Sequence, residues 1–328
     1  MEGTMRSADK PALRAGGQTL MLLAASLNVE ILRYLEQGPR SLQDVRDQLG
    51  LPPQSTMRLH LRTLTGVGAI ERRTRNEFPT SAEFEITQAG RDLLEVGDTV
   101  HAWLQASPGE PKGLASTGAT SAIKALVSGW SSHLVRILAA RPLSLTELDS
   151  LIPRISYPSL ERRLTAMREC GLVGMPQTRG RLKPYEVTEW LRLAIVPITA
   201  AIGWERGYAP ESTPPVGRLD VEAAFLLGVP LLELPPEVNG KCRLAVEVHD
   251  GASPVFAGVV VSIEAGEVTS CIANLEGEAE AWASGKPLTW LRQLSLKSDG
   301  ELELGGDRTL ARSLLGALPR TARELQRP

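Results

Sequence analysis

Arginine carries the clearest chemical signal in this chain. Arg58 and Arg62 stand four apart in a segment whose apolar residues, Met57, Leu61 and Leu64, recur at helical spacing. Arg162 and Arg163 stand in a second such segment, beside Leu160, Leu164 and Met167. Spacing of i, i+4 and i+7 buries one stripe of a helix. It turns Ser55, Thr56, Arg58 and Arg62, or Ser159, Arg162 and Arg163, to the open face, with His60 on the first segment as a further candidate. A basic stretch follows each segment: Arg72, Arg73 and Arg75, then Arg179, Arg181 and Lys183. A guanidinium offers a planar fork of donors that fits phosphate oxygens or the major-groove edge of guanine. Hydroxyls near a helix start donate to phosphate. Together these residues are candidate contacts to double-stranded DNA.

Other chemistries are poorly served. Ser121 and Lys124 have the spacing of a Ser-x-x-Lys nucleophile, but no partner motif follows. The sequence holds no Gly-x-Ser-x-Gly, no phosphate-binding glycine loop and no His-Glu-x-x-His. His101, His133 and His249 lack an acidic or cysteine partner at ligand spacing. Cys170, Cys242 and Cys271 are odd in number and far apart, which is neither a disulfide framework nor a zinc site. Glu301 and Glu303 share one face of a strand and read as a solvated edge. The expectation is a protein that is not an enzyme and uses no metal or cofactor.

The elements that must position the arginines occur twice. ILRYLEQGPRSLQDV (31–45) aligns without gaps on LVRILAARPLSLTEL (134–148) at an offset of 103. The offset sets Arg33 on Arg136, Pro39 on Pro142, Ser41 on Ser144, Gly68 on Gly171 and Ile70 on Val173. After a two-residue shift, Thr87 falls on Thr188 and Trp103 on Trp204. Each copy reads as an apolar-periodic helix (about 20–37 and 121–140), then a short helix opened by Ser41 or Ser144 as N-cap. A turn, the arginine-bearing helix, a C-capping glycine, a strand, the basic loop, a returning strand and a last helix ending near Trp103 or Trp204 complete it. That order is a winged helix, whose third helix enters the major groove while the wing contacts phosphate.

Charge supports the assignment locally rather than globally. Basic residues number 12 against 13 acidic in 1–105, 13 against 8 in 106–210, and 11 against 17 in 211–328. The middle third is therefore the stronger electrostatic candidate and the last third the weakest. Glu71, Glu77, Glu83 and Glu85 flank the first wing, which makes the second copy the safer DNA reader on sequence grounds.

The repeated unit resembles the HxlR/MarR-like winged-helix regulators. Ile155 to Leu164, Glu169 to Val173, Tyr185 to Thr188 and Trp204 carry the resemblance in the second copy, with Leu51 to Thr56 and Glu85 to Gly90 a looser version in the first. Such regulators usually have one module and dimerise. Two modules in one chain imply an intramolecular pseudo-dimer through the helices ending at Trp103 and Trp204, with pairing of two chains left open. Trp190 also departs from the small residue common after the Thr-Glu pair.

Beyond Pro210-Glu211-Ser212-Thr213-Pro214-Pro215 the period changes. A Leu-rich helix (219–232) leads into short alternating strands at 242–250, 255–266 and 267–277, then helices, an α+β layer. Glu278 to Lys286, Gly300 to Asp307 and Leu310 to Leu315 are similar to the sterol-carrier-protein-like lipid-binding domain. By that resemblance an apolar cavity holds a hydrophobic small molecule, with Phe256, Val260, Trp282, Trp290 and Leu294 as candidate lining.

The expected fold class is thus multidomain α+β. Winged-helix modules at 1–105 and 121–209 flank a linker at 106–120 rich in Gly, Pro, Ser and Thr, and the sterol-carrier-like domain occupies 210–328. The N-terminus lacks the apolar stretch of a signal peptide, and no run of eighteen apolar residues exists, so a cytoplasmic protein that makes no membrane contact is expected. The function implied is a DNA-binding transcriptional regulator modulated by a hydrophobic effector. The alternative is a scaffold or apolar-ligand carrier that uses its winged helices for protein contacts.

Overall fold

A computed structural model describes residues 13–75, 81–153, 155–176, 184–209, 211, 213–250, 253–294 and 302–324. The described residues begin with α1 (Gly17–Leu23), α2 (Ser26–Leu35), β1 (Arg40–Ser41), α3 (Leu42–Gln48) and α4 (Gln54–Gly66). The hairpin β2 (Ile70–Arg75) and β3 (Ser81–Ile86) and the long α5 (Gln88–Gln105) follow. Ser41 caps α3 as expected, in a reciprocal box with Asp44: its hydroxyl accepts from the Asp44 N–H, and the Asp44 carboxylate accepts from the Ser41 N–H. Strand β1 pairs with β3, which pairs with β2, closing a small three-stranded sheet behind α4.

After a loop come α6 (Thr117–Ser131), α7 (Leu134–Ala140), α8 (Leu145–Leu151), α9 (Tyr157–Glu169), β4 (Val173–Gly174), β5 (Glu186–Val187), α10 (Glu189–Leu193) and α11 (Ile195–Tyr208). Local contacts of the first part recur here. Ser144 forms the same capping box with Glu147. A Leu143–Tyr185 bridge stands where Arg40 meets Phe84. The Thr87 hydroxyl donates to the carbonyls of Gly68 and Ala69, and the Thr188 hydroxyl to those of Gly171 and Leu172. Gly68 and Gly171 both hold φ in the left-handed region, at +72° and +85°, where a glycine ends a helix without strain.

Two expectations about helices need correction. The periodic segment 20–37 is not one helix: the backbone leaves the helix at Ala25, which is extended at φ −89° and ψ 94°. The segment 121–140 breaks at His133, which adopts φ 62°. In both cases the halves pack on different neighbours, α1 on α6 and α11 but α2 on α4 and α5, and α6 on α1 and α9 but α7 on α12, so one apolar-periodic segment is redirected at the break toward two parts of the core.

The centre of the helical part is built from first and last helices. Helix α5 packs along α11, and α1 packs on both α6 and α11. Trp103, Trp130, Trp190 and Trp204 are buried there. Trp204 donates its indole N–H to the Ala89 carbonyl at 2.8 Å, and Trp103 donates to the Trp190 carbonyl at 2.9 Å. Ala89 and Trp190 occupy matching places, two residues past Thr87 and Thr188, so the contact is the same made in opposite directions. That reciprocity is the mark of a two-fold-like interface.

The remainder is an α+β layer. It comprises α12 (Arg218–Gly228), β6 (Gly240–Asp250), β7 (Ser253–Glu264), β8 (Glu267–Ile272), β9 (Ala281–Gly285), α13 (Pro287–Leu294), β10 (Glu303–Gly306) and α14 (Arg308–Glu324). The sheet order is β10-β9-β6-β7-β8, antiparallel except for the parallel β6–β9 pair. Helix α12 is the joint between the two parts, packed on α7, α10 and α11 on one side and on the sheet and α13 on the other. From Asp220 to Gly228 every residue is buried. Two of these are acidic. Glu222, 1% exposed, accepts from Arg136 Nε at 2.7 Å and from Arg218 Nε at 2.8 Å; Asp220 accepts from Arg14 Nε at 2.7 Å. Buried carboxylates persist only when paired and hydrogen-bonded in this way. Among the described residues no helix is long and apolar enough to cross a membrane.

Candidate nucleic-acid interface

Helix α4 follows the turn at Gly50–Pro53, whose Gly50 and Leu51 both hold positive φ. Met57, Leu61 and Leu64 are buried, as their spacing required. Ser55, Arg58 and Arg62 are exposed on the opposite side and Thr56 is half-buried. Neither Arg58 nor Arg62 forms an ion pair among the described residues, so both guanidinium groups are free to meet an anion.

Helix α9 has the same frame but a different outer face. Leu160, Leu164 and Met167 are buried. Arg162 is exposed and Ser159 half-buried. Glu161 stands where α4 has Arg58, and Thr165 where it has Arg62. Arg163 is half-buried, its Nη1 enclosed without a hydrogen-bond partner. Burial, and then the neighbouring Arg162 charge, pull its pKa below the ordinary arginine value. Each helix thus exposes two arginines, but α4 carries both, Arg58 and Arg62, ahead of its last turn, whereas α9 has Arg162 there and Arg168 only in its last turn; on the N-terminal part of the helix α4 is the better equipped, the reverse of the ranking that net charge suggested.

Arg163 has the same place in its helix as His60, and His60 also turns inward. Its Nδ1 donates to Asn28 Oδ1 at 2.7 Å, while Asn28 Nδ2 donates to the Leu22 carbonyl. That assignment fixes the proton on Nδ1. Burial lowers the histidine pKa, which favours the neutral ring. His60 thus ties α4 to α2 rather than reaching outward with the arginines.

In the first wing, Arg72 and Arg73 are exposed on β2. Arg73 is already engaged, with Nη2 2.5 Å from Glu71 Oε1 and Nη1 2.6 Å from Glu85 Oε2. Two of the acids that flank this wing in the sequence, Glu71 and Glu85, are therefore ion-pair partners of Arg73, and among the described side chains of the wing Arg72 is the cation without such a partner. The side chain of Arg75 and all of Arg179, Arg181 and Lys183 lie outside the described residues.

The five residues expected to line an apolar cavity do not share one. Trp290 and Leu294 lie in the core beneath the sheet, where Trp290 is wholly buried and meets Phe225 edge-on at 4.7 Å. Its indole N–H donates to the Ala245 carbonyl at 2.7 Å. Phe256, Val260 and Trp282 lie on the other face, with Phe256 54% and Trp282 37% exposed. The register fixes this: Val260 and Trp282 both flank Arg243, while the alternate residues Val259, Val261, Ala281 and Ala283 point to the core.

A cleft of about 1050 Å³ lies elsewhere, along the flank of α4 away from its buried stripe. Leu59, His60 and Thr63 of α4 form one wall, α1 and α2 another, and Trp204, Glu205 and Tyr208 of α11 a third. No local motif marks it, because its walls come from segments as far apart in the chain as Leu13 and Thr213. Among the described residues no cluster of His, Cys, Asp and Glu is arranged to hold a metal. The cysteines are free thiols, and burial pushes those of Cys242 and Cys271 up to about 12.

No curated protein and no solved structure matches the chain. A family model does match, over residues 22–110, from the end of α1 through α4, the β2–β3 hairpin and α5. The family that residues 22–110 match is HxlR-like helix-turn-helix, and that match supports a winged-helix regulator.

Proposed function

We propose that the chain is a sequence-specific DNA-binding transcriptional regulator whose principal reading helix is α4. The observation that carries this is the coincidence of the HxlR-like match with the unpaired Arg58 and Arg62 on the open face of α4. In this reading the N-terminal residues of α4 meet base edges, Arg58 and Arg62 meet guanine or flanking phosphate, and Arg72 adds a wing contact. The region 121–209 acts as a second winged helix, and the α5–α11 contact makes one chain an intramolecular pseudo-dimer. The α+β layer, joined through α12, holds that second module in place; ligand binding within it draws no support from the split lining. Catalysis forms no part of this function.

A second reading gives DNA contact to the first module alone. Glu161 in place of Arg58 favours it, since a carboxylate on that face repels phosphate. Selection from a random duplex library, followed by binding across a salt series, tests both. Enrichment of one motif with affinity falling steeply as salt rises supports the regulator. A motif of two unequal half-sites about one helical turn apart supports two reading helices, and a single half-site supports one. Absence of enrichment and of salt-dependent binding defeats both and leaves a scaffold.

A further inference from the structure

The cleft beside α4 has the chemistry of a ligand site. At about 1050 Å³ this open cleft is large enough to seat a small organic molecule. Its walls are mixed: Met21, Leu22 and Leu59 supply apolar surface, and Trp204 and Tyr208 stand with ring centroids 5.7 Å apart. Its lining side chains are acidic rather than basic. Glu205 and Glu211 line it, Tyr208 Oη donates to the Asp92 carboxylate at its edge, and no lysine or arginine is among its described lining residues. Glu205 is 1% exposed, and its carboxylate accepts the backbone N–H groups of Gly16 and Thr19 at the start of α1. Arg206 is held at the Thr213 wall by the carbonyls of Thr213 and Pro214, and the Glu205 oxygens are taken by backbone N–H groups, so what a guest meets at the open side is the exposed Glu211 and the Tyr208 ring beside Asp92, which favour a positive guest and disfavour a negative one.

We infer that this cleft binds a hydrophobic monocation, an amine, quaternary ammonium or phosphonium with an aromatic or alkyl body, and that its occupancy alters DNA affinity through α4. The site itself is independent of the regulatory function proposed above; only the readout rests on it. The route is short. Leu59, His60 and Thr63 contact the cleft from the same helix that carries Arg58 and Arg62 outward, and the His60–Asn28 bond spans the wall that a guest would press on. A ligand that prefers one setting of α4 shifts the helix toward it by its differential affinity.

Calorimetry on the full chain without DNA tests the site, using tetraphenylphosphonium and its size-matched anion tetraphenylborate as probes. The cation binds at one site about tenfold or more tighter than the anion, and Tyr208→Ala and Glu211→Lys each weaken it by about fivefold or more. Both residues are exposed, so these variants keep the fold. Phe256→Ala, on the outer face of the sheet, leaves the cation affinity unchanged. No binding, equal binding of both ions, insensitivity to the two cleft variants, or loss of binding in Phe256→Ala overturns the assignment. Fluorescence anisotropy with a selected duplex then reads the coupling: saturating cation shifts the DNA affinity of the parent chain but not of Glu211→Lys. Binding of the cation with unchanged DNA affinity overturns the coupling and leaves the DNA-reading function standing.

Discussion

Trp103 and Trp190 hold each other by the same bond twice. The indole of Trp103 donates to the backbone carbonyl of Trp190 at 2.9 Å, and the indole of Trp190 donates to that of Trp103 at 2.7 Å. Their rings stack with centroids 4.6 Å apart and planes 8° from parallel. Lys112 adds its ammonium 5.0 Å from the Trp190 ring. Trp190 is the residue that departs from the small side chain common at its position, and this contact accounts for it: the extra indole clamps α10 to the end of α5. Trp103→Phe keeps the stacking but strands the Trp190 carbonyl in the core. The expected cost is about 1–3 kcal/mol in denaturant unfolding. A cost in Trp190→Phe that adds fully to it in the double variant would show the two bonds to be independent.

DNA binding should distinguish the arginines by their present partners. Arg58→Ala and Arg62→Ala should each weaken binding and lower the salt slope by about 1 if the residue meets phosphate. Arg73→Ala should change affinity less, because Glu71 and Glu85 already neutralise that side chain. Arg162→Ala reports on α9 directly. Arg163→Ala mixes contact with packing, since that side chain is half-buried. A larger loss in the α9 pair than in the α4 pair, with folds intact by circular dichroism, would reverse the assignment of the principal reader.

The buried acids of α12 invite a paired test. Glu222→Gln leaves Arg136 short of its counter-charge and should cost about 3–5 kcal/mol of stability. Replacing both partners, Arg136→Met with Glu222→Leu, removes the uncompensated charge and leaves the half-exposed Arg218 to solvent. That double variant should recover most of the loss, measured by thermal unfolding. A double variant as unstable as the single one would mean that the ion pair itself, rather than its imbalance, holds the joint.

Two kinds of carboxylate should respond oppositely to pH. Hydrogen bonds from the Ser41 hydroxyl and backbone hold Asp44 below its ordinary pKa. It binds its proton less tightly folded than unfolded, so its stabilisation is present above the unfolded value and is lost as pH falls through the folded one. Burial raises Glu205, against the opposing pull of the backbone N–H groups of Thr19 and Gly16. It binds its proton more tightly folded than unfolded, so stability falls as pH rises from the ordinary glutamate range through the raised value. Denaturant midpoints of the parent and Glu205→Gln should therefore diverge across that interval, with the parent losing ground as pH rises. Parallel midpoints would show that Glu205 has an ordinary affinity for protons.

The sequence made the local grammar of the helical part readable. Ser41 and Ser144 as caps, Gly68 and Gly171 as helix ends, and the stripes through Met57 and Leu160 all follow from short-range rules that a residue type states directly. The breaks at Ala25 and His133 were not legible, because each is a matter of one or two backbone dihedrals inside an unbroken apolar period. The sheet faces failed for a related reason. In the run from Val255 to Ile263, apolar residues occupy both parities, Phe256 and Val260 as well as Val259 and Val261. Alternation then cannot say which set points inward, and only pairing to β6 and β9 decides. The cleft was invisible for want of proximity: Asn28, His60 and Trp204 meet only once α5, α11 and α1 are packed.

The contact between α5 and α11 lies within a single polypeptide. A pair of subunits that must find each other loses its partner on dilution, and its readiness depends on how many copies a cell holds. Here the second half is delivered at a fixed local concentration by the chain itself, so the assembled form persists at any abundance. The halves are also released from identity. At matching positions the two helices already differ, Arg58 on α4 and Glu161 on α9, so under the function proposed above the paired modules suit an asymmetric target that no homodimer would match on both sides.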